Sequence, residues 1–71
     1  MIKEIKMAIR ESLPIVLLMR EEGKVVEHKV RPYRIEADHL AGFSFKANQE
    51  HKFNLRNLVG VCHWFGISRD K

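Results

Sequence analysis

A chain of 71 residues, 45% hydrophobic and 31% charged, has the composition of one soluble globular domain. A core this small buries only roughly 60% of the surface of the unfolded chain, too little for a deep substrate cleft, so a self-sufficient enzyme is excluded from the expectations and no cofactor is expected. Thirteen Lys and Arg against nine Asp and Glu leave a formal net charge of +4, which favours anionic partners. The single cysteine, Cys62, cannot close an internal disulfide, and no apolar run nears the ~20 residues of a membrane span. With a charged start in place of a signal sequence, a cytoplasmic protein that does not engage membranes is expected.

In IKEIKMAIRESL, Ile2, Ile5, Ala8 and Ile9 recur at intervals of three and four, which predicts a one-sided helix over residues 2–12. It stops before Pro14, whose ring disfavours helical geometry in the preceding residue. The run IVLLMR then predicts a buried strand and EEG a turn. KVVEHKVRPYRIEA alternates, with Val26, His28 and Val30 on one face and Glu27, Lys29 and Arg31 on the other. Beyond Pro32 the apolar residues Tyr33 and Ile35 take the opposite parity, which predicts a bulge or bend there.

HLAGFSFKA is a third strand, with Ala41, Phe43 and Phe45 on one face and Gly42 and Ser44 on the other. KFNLRNLVGVCHWFG carries Phe53, Leu55, Val59 and Val61 on one parity, interrupted by Asn57, with Leu58 out of step. A turn around Arg56, Asn57 and Leu58 is therefore expected to divide it into two strands. The whole is expected to be one mainly β domain. An N-terminal α-helix precedes about five short, strongly bent antiparallel strands that form a small barrel over residues 15–65, and residues 66–71 form a frayed tail.

From about Ile5 to His63 this order of features resembles the WYL domain, a bacterial ligand-sensing module with an Sm-like or SH3-like barrel. IKMAIRESLPIVLLMR has the look of the family's helix and first strand, EEGKVVEHKVRP fits its hairpin and proline-ended strand, and FNLRNLVGV echoes its closing motif at Phe53, Leu55, Leu58 and Val61. The naming Trp-Tyr-Leu triplet would fall at His39, Leu40 and Ala41, and the two closing arginines at Asn54 and Asn57, so those signatures are absent. The resemblance implies an Sm-like fold and a regulatory, ligand-sensing role of the kind used in transcription regulation.

Lys29, Arg31, Arg34, Lys52 and Arg56 fall on neighbouring predicted strands, and Tyr33 and Trp64 offer flat faces. Positive charge interleaved with aromatic platforms is how single-stranded nucleic acid and phosphate are gripped. The plain alternative is a solvated outer strand face whose cations keep edges from pairing with other chains. His28, His39, His51 and His63 with Cys62 are metal-ligand types, but no Cys-x2-Cys or His-x3-5-His spacing occurs. No Gly-rich phosphate loop, HExxH or GxSxG is present. The expected function is thus a non-enzymatic binding module for nucleic acid or a phosphorylated small ligand. The alternative is a protein-interaction or homo-oligomerisation module, with a regulatory protein as partner, that uses a strand edge or the adjacent Trp64 and Phe65.

Overall fold

The one-sided apolar spacing at the start folds as helix α1, Ile2–Glu11, in a computed structural model that describes residues 1–64. Phe65 and the expected tail over residues 66–71 lie outside the described residues. Ile5 and Ala8 are buried and Ile9 packs beside them, while Ile2 is exposed. The helix ends three residues before Pro14 because Ser12 turns into the left-handed region (φ 56°), letting the Ser12 and Leu13 amides bond back to Ile9 and Ala8.

Five strands follow: β1 Ile15–Glu21, β2 Lys24–Glu36, β3 His39–Ser44, β4 Gln49–Asn54 and β5 Leu58–His63. They form one antiparallel sheet in the order β4-β3-β2-β1-β5. The β1–β2 hairpin closes on Glu22 and Gly23, both at positive φ, the backbone twist that two-residue hairpins favour. A 3-10 turn over Leu55–Asn57 joins β4 to β5, its first free amide capped by the Asn54 side chain. The expected turn in this segment is present, one residue earlier than the spacing suggested.

Helix α1 covers one face of the sheet. Ile5, Ala8, Ile15, Leu17, Met19, Val30, Leu40 and Phe53 form the core there, with Ile35, Leu55, Leu58 and Val61 packed around them. The parity reversal after Pro32 is a bulge: Pro32 pairs with Gly42 and Arg34 with Ala41, so Tyr33 is the extra residue and stands exposed. A second irregularity explains Leu58. Leu18 pairs with Gly60 but Met19 pairs with Leu58, which leaves Val59 as the extra, exposed residue and returns Leu58 to the core.

The parity of β3 decides where the functional candidates lie. Leu40, Gly42 and Ser44 face the helix side, so Phe43 and Phe45 stand on the opposite, outer face. Gly42 makes this possible, since a Cβ there would lie 2.7 Å from the Arg31 carbonyl oxygen. Among the described residues, no helix is long and apolar enough to cross a membrane.

A cation and aromatic cluster on the outer face of the sheet

The seven residues singled out from the sequence do not gather in one place. Lys29 and Arg31 lie on the outer face of β2, and the hairpin after β3 brings Phe45 beside them while the end of β5 brings Trp64. Phe45 is the hub. Its ring meets Phe43 edge-on at 5.3 Å and Trp64 edge-on at 4.9 Å between centroids. Lys29 Nζ stands 5.5 Å from the Trp64 centroid, and the Arg31 guanidinium carbon 6.0 Å from that of Phe45. Each such contact contributes about 0.5–1 kcal/mol at an exposed site.

These side chains border two adjoining depressions of about 460 Å³ each. One is walled by Lys29, Lys46, Phe45 and Trp64 with Glu27 at its side. The other runs along β5 and β1 over Val16, Leu18 and Cys62. Lys46 has no ion pair among the described residues, nor has Lys29 beyond its contact with Trp64. Among the described residues, three cations, Lys29, Arg31 and Lys46, thus gather around the aromatic rings against one carboxylate, Glu27. The Trp64 Nε1–H is shielded from solvent and finds no acceptor among the described residues.

Arg31 has a second engagement. Its Nη1 donates to the Ser12 carbonyl oxygen at 2.8 Å, so the guanidinium also fastens the C-terminal end of α1 to the sheet, where the helix dipole favours a cation. Loss of Arg31 therefore disturbs the fold as well as the face, and Lys29 is the cleaner probe.

Arg34, Lys52 and Arg56 sit elsewhere, each committed to a carboxylate. Arg34 bonds to Glu36 through Nε and reaches Glu50 at 3.4 Å, while Lys52 Nζ lies 3.4 Å from Glu36. Two cations against two carboxylates make that patch neutral. Arg56 pairs with Asp38 at 3.2 Å. Tyr33, on the bulge, stacks on no ring among the described residues. The sequence-level cluster is therefore not contiguous: Lys29, Arg31 and Trp64 come together, Arg34 and Lys52 form a separate neutral patch, and Tyr33 and Arg56 stand apart. Phe43, Phe45 and Lys46 belong with the first group and were not among the seven. The signal for them was the Phe-x-Phe alternation at Phe43 and Phe45, with Lys46 next in the chain.

The neutral patch has a pH signature. The hydrogen bond and charge of Arg34, then those of Lys52, hold the Glu36 carboxyl below its ordinary 4.5. A carboxyl whose pKa is depressed in the folded state contributes stability that is complete above its unfolded value and is lost as pH falls through the folded one. Thermal unfolding should therefore show a midpoint that drops as pH falls below the ordinary carboxyl value and through the lowered one, and Glu36→Gln should flatten that drop. The groups are exposed, so the drop is small.

The histidines occupy separate places. His28 and His51 flank Phe53 on the helix-side face, at 5.2 and 4.8 Å between ring centroids, and His39 Nδ1 lies 2.9 Å from Asp38. Among the described residues, no three His, Cys, Asp or Glu side chains gather into a group that could hold a metal ion.

No family model matches this chain, and no curated protein matches it. Among solved structures, proteasome accessory factor B/C (PafBC) of Arthrobacter aurescens is similar to it with a TM-score of 0.76 at 17% sequence identity. The match covers 99% of this chain, which spans 13% of the length of that one. At this identity the likeness is one of fold alone.

Proposed function

We propose that the chain is a non-enzymatic regulatory module that binds a phosphate joined to a flat ring, as in single-stranded nucleic acid or a phosphorylated small ligand, on the outer face of its sheet. The observation that carries this reading is the gathering of Lys29, Arg31 and Lys46 around Phe45 and Trp64, with open depressions beside them. Rings accept the base, and cations accept the phosphate. The occurrence of the same fold as 13% of a longer chain named as an accessory factor supports a binding role over a chemical one.

The test is a titration with a fluorescent single-stranded oligonucleotide across a salt series. For single strands the slope of log K against log salt is about −0.7 per neutralised phosphate, so two or three engaged cations predict a slope of about −1.4 to −2.1. Lys29→Ala should weaken binding and reduce the slope by about 0.7, while Arg34→Ala should leave both unchanged. Binding that ignores salt, or that responds to Arg34→Ala as much as to Lys29→Ala, would overturn this reading.

A second reading, self-association or capture of a regulatory protein, is favoured by one feature. The apolar strip of Val16, Leu18 and Cys62 runs onto β5, whose outer edge is unpaired among the described residues. Such an edge invites another strand. Sedimentation would separate the two: concentration-dependent assembly removed by Trp64→Ala but not by Lys29→Ala belongs to the second.

A further inference from the structure

A different cavity opens on the helix-side face, with no residue of α1 in its walls. It measures about 320 Å³ and is walled by His28, Ser44, Lys46, Ala47, His51 and Phe53. The sheet register explains the grouping. His28 pairs with the core residue Leu17, Phe53 with Leu40, His51 with Gly42 and Ser44 with Val30, so all four side chains face the same side. At the centre of the sheet that side is filled by the core cluster; here it is lined by imidazoles and a hydroxyl instead.

Three features specify an occupant. The first is shape: Phe53 is buried with the His28 and His51 rings tilted against it by 57° and 52°, an arrangement that receives a flat ring by edge and face contacts. At about 320 Å³ the space is at the small end of ligand pockets, enough for a single ring with one substituent. The second is an unused donor. Ser44 is buried, and its Oγ accepts the Ala47 amide at 3.2 Å; no acceptor for its own proton is present among the described residues. An acceptor on a ligand in the cavity would take that proton in place of water. The third is charge: Lys46 has no carboxylate partner among the described residues, no acidic side chain is among the residues that wall the cavity, and Glu21, bound to His28 Nε2 at 2.6 Å, is engaged elsewhere.

We propose that this cavity is a second binding site, for a small arene carboxylate, with the ring against Phe53 between the two imidazoles and the carboxylate toward Ser44 Oγ and Lys46. An ionised carboxylate only accepts hydrogen bonds, which matches a hydroxyl and an ammonium that only have protons to give here. The site is independent of the outer face except for Lys46, which borders both from the hairpin between β3 and β4. Occupancy would order that hairpin and thereby fix Lys46 beside Phe45 and Trp64.

The experiment is an amide and imidazole chemical-shift titration of the full chain with benzoate, with benzyl alcohol as the uncharged isostere and inorganic phosphate as the ringless anion. Benzoate should shift the Ala47 amide and the His28 and His51 ring protons along a saturating curve, with affinity at least about fivefold above that of benzyl alcohol, and phosphate should produce no saturating shift there. Exposed His51 and Lys46 can be changed without opening the core, and His51→Ala and Lys46→Gln should each weaken benzoate by about fivefold or more. His51→Ala should leave oligonucleotide binding at the outer face unchanged, so failure of either site is seen separately. Non-saturating shifts, equal affinity for benzyl alcohol, shifts at Lys29 and Trp64 in place of Ala47, or indifference to both variants would overturn the proposal.

Discussion

Gly42→Ala should destabilise the domain by about 3 kcal/mol, near the upper end of what overpacking a filled interior costs. The added Cβ would lie 2.7 Å from the Arg31 carbonyl oxygen, 2.8 Å from Val30 Cγ1 and 3.0 Å from Pro32 Cα. Two of these are backbone atoms and cannot rotate aside. The φ of Gly42 lies outside the left-handed region, so the cost is one of space and not of backbone conformation. The position matters because Gly42 pairs with Pro32 immediately beside the bulge at Tyr33, where the β2 backbone leaves no room for a side chain. Native domains of this length hold on the order of 4–11 kcal/mol in total, so such a loss shifts a denaturation midpoint unmistakably. Because Arg31 and Phe43 are themselves a cross-strand pair, the same substitution should also weaken ligand binding at the outer face. A loss below about 0.5 kcal/mol would show that β3 does not approach β2 this closely.

Leu17→Ala should cost about 2–5 kcal/mol, the range for truncating a buried leucine. Leu17 is 0% exposed and lies midway along β1, opposite His28 on one side and Val61 on the other. The cavity it leaves would loosen both neighbouring strands and remove a contact surface beneath α1, whose short length gives it little stability of its own. Val25→Ala provides the control. Val25 is 52% exposed near the β1–β2 hairpin, and its truncation should change stability by no more than about 0.5 kcal/mol. Urea denaturation of the two variants checks the burial pattern, and equal losses would contradict it.

Several features of the fold were legible because a change of parity leaves a mark in the letters. The switch from Val26, His28 and Val30 to Tyr33 and Ile35 announced the bulge, and Pro32 located it. Leu58 carries the same kind of mark, but its place directly after a 3-10 turn and before a bulge at Val59 makes its spacing read as part of the turn. Alternation alone could not say which face of β3 turns inward, since Leu40 on one parity and Phe43 and Phe45 on the other are all apolar. Packing settles it: at Gly42 only a residue without Cβ fits against β2, so that parity faces in and the phenylalanines face out.

The candidate site was legible in part for a related reason. Positive charge along HKVRPYRI is visible in the sequence, whereas its neutralisation depends on strand order. Glu36 shares a face with Arg34 two residues away, but Glu50 reaches Arg34 and Lys52 reaches Glu36 only across the sheet. Lys46 and Trp64 are 18 positions apart in sequence and border one depression because β3 and β5 both end near the middle of β2. Arg31, chosen for its charge, also secures the helix end through Ser12, a contact no spacing rule announces.

The surface proposed to bind an anion is the Lys29, Arg31, Lys46, Phe45 and Trp64 cluster and not the whole set of basic strand residues. An amide and indole chemical-shift titration of the full chain with short single-stranded DNA and RNA tests it most directly, because it reports binding and location together. Saturating shifts are expected at Lys29, Phe45, Lys46 and the Trp64 indole, reversed by added salt, with residues 34–36 and 50–52 unmoved. Shifts centred on residues 34–36 and 50–52, or silence at the cluster, would contradict it.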